Sequence, residues 1–163
     1  MIRKLTLMLI FAIFVAGDAI AERGEPIMSW PYFVQLDLNA YHGAMISKCD
    51  EKYPEHAQAF RKAIAQWDKT NMAAITEIRG LIKERIKFSE SLSEAQAEDQ
   101  MSKASAAWTQ IFMNMLAGTK ENEWKDACSG SYADQTLRSL DFQKYRSSIV
   151  AAISTVPISQ LRP

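Results

Sequence analysis

The chain is poor in the residues that build turns, metal sites and covalent cross-links: its 163 residues include 6 glycines, 5 prolines, 2 cysteines and 2 histidines. Sparse glycine and proline, with no repeat or low-complexity stretch, favour one compact domain with short ordered links. Neither His42 nor His56 has a second ligand residue at helical spacing, so no metal-binding pair is evident. Without a Cys-x-x-Cys-His sequence, covalent haem is excluded, and without Glu-x-x-His there is no di-iron signature. A thiol redox enzyme normally keeps its cysteines close together, and here they are far apart. Cys128-Ser129-Gly130-Ser131 is not a nucleophile elbow, since it lacks the Gly-x-Ser-x-Gly pattern and no histidine follows it; it reads as a helix-connecting turn. No catalytic residue and no resident cofactor is assigned.

The strongest positive signal lies at the amino terminus. Arg3 and Lys4 precede an apolar run from Leu5 to Ala16, which Gly17 and Asp18 end before it reaches the roughly 20 residues of a membrane span. This is the pattern of a cleavable export signal over residues 1–21. Ala19 and Ala21 supply the small residues that signal peptidase needs, so cleavage is expected after Ala21, with cleavage after Ala19 as the near alternative. The mature chain then has about 142 residues, no lipid-accepting cysteine near its start, and a net charge near minus one, which suggests neither nucleic acid nor an anionic membrane as partner. A periplasmic or secreted location without a stable membrane anchor follows.

Gly24, Pro26 and Pro31 make residues 22–31 an amino-terminal arm, and residues 32–156 read as a single helical domain. Val34, Leu38, Tyr41, Met45 and Cys49 recur every three or four residues and mark a first helix over about 32–52. Pro54 and Glu55 suit the start of a second, whose stripe Phe60, Ile64, Trp67, Asn71, Ala74, Ile78 and Ile82 extends to about Phe88, with Asn71 and Gly80 as possible breaks. Ser91 and Glu94 match a capping box for a third helix carrying Met101, Ala104, Trp108, Ile111, Phe112 and Met115, which Gly118 ends. Thr119 could cap a short segment around Trp124. Leu137, Phe142, Tyr145, Ile149 and Ile153 mark the last helix, closed by Pro157, and 157–163 form a tail. Four amphipathic helices with short links predict an all-α fold, an up-down-up-down bundle.

That topology puts the end of the first helix and the end of the third at one pole, so Cys49 and Cys128 can meet. In an oxidising compartment, two cysteines so placed form a disulfide. Arg79, Lys83, Arg85 and Lys87 end the second helix where Glu90, Glu94, Glu98 and Asp99 begin the third, which predicts a solvated, mutually neutralised turn. Trp67 and Trp108 are expected to bury against each other's helices, with Trp30 and Trp124 nearer to solvent. His56 should face water, while His42 could point into the bundle, where a methionine partner would make non-covalent haem conceivable.

In size, export and a single disulfide, the chain is similar to small exported helical proteins of Gram-negative bacteria, some of which are immunity proteins that block a toxin in the periplasm. The resemblance transfers no residue. Missing catalytic signatures on a stable scaffold point to a non-enzymatic protein that binds another protein, as an inhibitor or immunity-type molecule. A bundle binding haem or an apolar small molecule is the alternative. The rigid disulfide pole, with Tyr53, Trp124 and Tyr132, is the expected contact surface unless these rings cap the core.

Overall fold

The computed structural model describes residues 30–158, and all regular structure among them is helical. The segments are α1 Trp30–Phe33, α2 Leu38–Lys52, α3 Pro54–Ser89, α4 Glu94–Ala117, α5 Glu121–Asp126, α6 Ala127–Leu137 and α7 Phe142–Ile153. The expected export signal, the arm before residue 30 and the tail from 159 lie outside the described residues. No described helix is long and apolar enough to cross a membrane.

The axis of the fold is α3. Proline at its first position loses no hydrogen bond there, and the helix runs unbroken through Asn71 and Gly80 for 36 residues, about 54 Å at 1.5 Å per residue. Its expected stripe from Phe60 to Ile82 is buried, and α2, α4, α6 and α7 all pack on it. Asn71 fits this apolar seam because both ends of its amide are used. Its nitrogen donates to the Trp67 carbonyl, and its oxygen accepts from the Gln143 N–H at the start of α7.

The neighbours divide the length of α3 between them. The first half carries α2, joined by the Arg61–Asp50 and His42–Asp68 pairs, and α6, where the Trp67 indole N–H is shared between the carbonyls of Leu137 and Leu140 at 2.9 and 3.0 Å. Beyond Asn71, α7 replaces α6: Arg146 pairs with Glu77, and Arg85 donates to the carbonyl of Ile153. The remaining helix, α4, packs beside α3 from the Lys83–Glu94 pair near its amino terminus, and past its carboxyl terminus Glu121 of α5 meets Tyr53, the residue before α3. Four elements thus enclose the first half of the core, while α3, α4 and α7 continue past the start of α2.

Several boundaries differ from the sequence reading, each for a local reason. The first helix is divided: Asp37 accepts from the Ala40 N–H at 3.0 Å and caps α2, leaving Val34 and Leu36 buried in the link from α1. Ser91 does not cap α4, because with φ 54° it terminates α3 in the left-handed conformation; the cap is Ser93, in a reciprocal box with Gln96. The Thr119 hydroxyl bonds back to the Met115 carbonyl instead of capping α5. Within Cys128–Ser131, where a helix-connecting turn was expected, Gly130 takes the non-helical φ 130° and forms a kink that joins two helical pieces of α6. The final helix begins only at Phe142, capped by Asp141.

The end of α1 fills the centre. Phe33 places its ring 6.1 Å from Tyr41 of α2, 6.0 Å from Trp67 of α3, 6.3 Å from Phe112 of α4 and 6.1 Å from Phe142 of α7. One side chain from outside the long helices therefore touches four of them.

Candidate functional site

At the pole where α2 meets α3, Cys49 and Cys128 form a disulfide with a Cα–Cα separation of 5.5 Å. The three aromatic residues expected to offer a contact surface beside it are turned inward, with exposures of 8% for Tyr53, 6% for Trp124 and 7% for Tyr132. The Tyr53 hydroxyl donates within the protein to the carbonyl and carboxylate oxygens of Glu121, and burial together with that neighbour pushes its pKa up to about 12. Tyr132 packs on Phe60 and on the edge of His42. Trp124, expected nearer to solvent, is buried as part of the hydrophobic core.

His42 does point into the core. It is 3% exposed, its Nδ1 lies 3.2 Å from Asp68 Oδ1, and Trp67 meets it edge-on at 5.5 Å. Burial lowers its pKa, and the Asp68 carboxylate opposes that shift without cancelling it. Burial likewise raises Tyr41 to about 12 and Tyr132 well above the ordinary tyrosine range. His42, Asp68 and the two tyrosines have the makings of acid–base chemistry, but Tyr41, Trp67 and Tyr132 pack around the imidazole, with ring centroids 5.5 to 6.5 Å away. Among the described residues, no group of three or more His, Cys, Asp or Glu side chains could hold a metal ion. His56, by contrast, is partly exposed beside Glu55.

The charged turn between α3 and α4 neutralises itself largely as expected. Lys83 holds Glu94 at 2.6 Å and Glu98 at 3.3 Å, and Lys87 holds Glu94 at 2.7 Å, which lowers the Glu94 pKa to about 2. Two cations of the expected group take no part: Arg85 is bound to α7, and Arg79 faces elsewhere.

Among the described residues, apolar side chains remain accessible at Leu81 and Phe88 of α3 and along the second half of α4. This helix has α3 and α2 as its chief neighbours, and after Ala104 none of its apolar side chains is fully buried. Trp108, Phe112, Met113, Met115 and Leu116 are half-buried, and Ile111 is 41% exposed. Trp108 was expected in the core; it is half-buried against it, with the Tyr32 ring centroid 4.5 Å away, and among the described residues its indole N–H has no hydrogen-bond partner. A signal was present in the sequence, since apolar residues at 108, 111, 112, 113, 115 and 116 circle more of the helix than one core stripe requires.

On the adjacent face, the seam between α3 and α4 opens into a groove of about 420 Å³ where α2 ends at Asp37. Arg79 reaches it from α3, while Met101, Ser102, Ser105, Thr109 and Met113 line it from α4. The short length of α2 creates this opening. Its cap is pinned at the edge, where the Asp37 N–H donates to the Thr109 hydroxyl at 2.8 Å.

Compared with family models, curated proteins and solved structures, the chain matches none.

Proposed function

We propose that this chain is a non-enzymatic exported protein that binds another protein, as an inhibitor or immunity-type molecule, and that the second half of α4 is its contact surface. The observation that carries this reading is the incompletely covered row of Trp108, Ile111, Phe112 and Met115 beside a groove containing an arginine. Aromatic residues, methionine and arginine are the side chains enriched at protein interfaces, and thioethers adapt to irregular partner surfaces.

Export belongs to the same reading. The signal over residues 1–21, cleavage after Ala21 and a periplasmic or secreted location agree with a disulfide that closes a long loop. The up-down-up-down bundle is retained as the scaffold, with α6 and α7 sharing its fourth position. Tyr53, Trp124 and Tyr132 would support the surface from the disulfide pole by keeping that end rigid. The alternative, a bundle that carries haem or an apolar molecule, is disfavoured because Phe33 occupies the space between the helices.

The test is capture from periplasmic extract with the mature protein, followed by substitution. Ile111→Asp should abolish retention of the captured protein with an unchanged melting temperature. Retention by this variant at wild-type affinity would reject α4 as the surface.

A further inference from the structure

The groove beside α4 has a charge arrangement that an apolar contact surface does not require. Both acidic groups on its rim are already engaged: Asp37 accepts from the Ala40 N–H, and Glu98 faces Lys83 at 3.3 Å. Arg79 is different, because among the described residues it makes neither an ion pair nor a hydrogen bond, although its side chain is only partly exposed in the groove wall. The groove leaves this guanidinium accessible to an acceptor brought by a partner. The hydroxyls of Ser102 and Ser105 stand on the same wall as further donors, and the thioethers of Met101 and Met113 bound it.

From this geometry we infer that the groove receives a carboxylate of the bound partner, held by Arg79, with an apolar group of the partner against Met101 and Met113. The inference rests on the protein-binding reading above and names the chemistry its partner must present. One guanidinium matches one carboxylate in charge and in its paired donors. A phosphate dianion would bring a second negative charge close to Asp37 and Glu98, so the pattern favours a monoanion. The carboxylate has two possible sources, an acidic side chain or a chain end, with the same chemistry at Arg79.

The probes are small molecules added to the mature protein carrying methyl-labelled methionine: N-acetyl-leucine for a chain end, N-acetyl-glutamate α-amide for a side chain, neutral N-acetyl-leucinamide, and inorganic phosphate. At least one carboxylate probe should shift the Met101 and Met113 methyl resonances saturably, and the stronger of the two identifies the source. Arg79→Met, which retains an apolar stem, should weaken that binding on the order of tenfold or more, and Arg79→Lys should weaken it less. No saturable shift, an equal shift with the neutral amide, tighter binding of phosphate, or full binding by Arg79→Met would each overturn the inference. Partner capture separates it from the reading beneath it. Loss of the partner by Ile111→Asp but not by Arg79→Met removes the carboxylate and leaves the α4 surface standing, whereas capture unaffected by Ile111→Asp removes that surface itself.

Discussion

Phe33 and Phe142 stack in the core with ring centroids 6.1 Å apart and planes inclined by 21°, joining the last residue of α1 to the first residue of α7. Phe33 also contacts Tyr41, Trp67 and Phe112, so its removal leaves a hole bordered by four helices. Phe33→Ala is expected to cost roughly 3 to 5 kcal/mol through lost burial and the residual cavity, measured by denaturant unfolding. A loss below about 1 kcal/mol would mean that the ring is not packed as described.

The disulfide spans a sequence separation of 79 residues, and closing a loop of that length removes unfolded-chain entropy worth about 4 kcal/mol in the simple model. Cys49→Ala should therefore lower the melting temperature strongly and leave partner binding measurable in the cold. Binding lost at unchanged stability would make the cysteine part of the contact surface. Peptide mapping of native, unreduced protein should recover Cys49 and Cys128 as one linked pair.

Acid should act through His42. Its pKa in the folded protein lies below the ordinary 6.5, because the charged form is poorly solvated in the core. The unfolded chain consequently binds the proton first, and stability present above pH 6.5 falls as the pH drops through the window beneath it. His42→Gln should flatten the fall in melting temperature between about pH 7 and 5.5 relative to the parent protein. An identical slope in both proteins would show that His42 is not the responsible group.

Gly80 sits inside α3 with nothing within 4 Å of the position a Cβ would occupy. Alanine is favoured over glycine in a helix interior by about 0.5 to 1 kcal/mol, so Gly80→Ala should raise stability by that order in chemical denaturation. Destabilisation would indicate that α3 bends or opens at this position.

Much of the helical content was legible because burial imposes a period on the chain. The α3 stripe from Phe60 to Ile82 and the α7 stripe from Phe142 to Ile153 are the apolar positions that periodicity selects, and all are buried. The proximity of Cys49 to Cys128 followed from helix order alone, since it needs only that successive helices reverse direction. Local signals were less decisive where two compete for one position. Ser91 and Ser93 both resemble caps, and only the left-handed turn that ends α3 assigns the role to Ser93.

The candidate surface was harder to read, because exposure depends on how far each neighbouring helix extends. Trp108 continues an α4 stripe whose earlier members, Met101 and Ala104, are buried, yet it is only half-covered. Trp124, Tyr53 and Tyr132 come from ends and bends that resemble surface in one dimension, and the fold encloses them all. Sequence by itself determined the period and order of the helices, since each side chain's helical face follows from its spacing along the chain. Only the tertiary structure decided that Phe33 would fill the centre and that the seam at Arg79 would stay open, because both depend on where the 15-residue α2 stops beside a 36-residue α3, a comparison of lengths in space that no local pattern encodes.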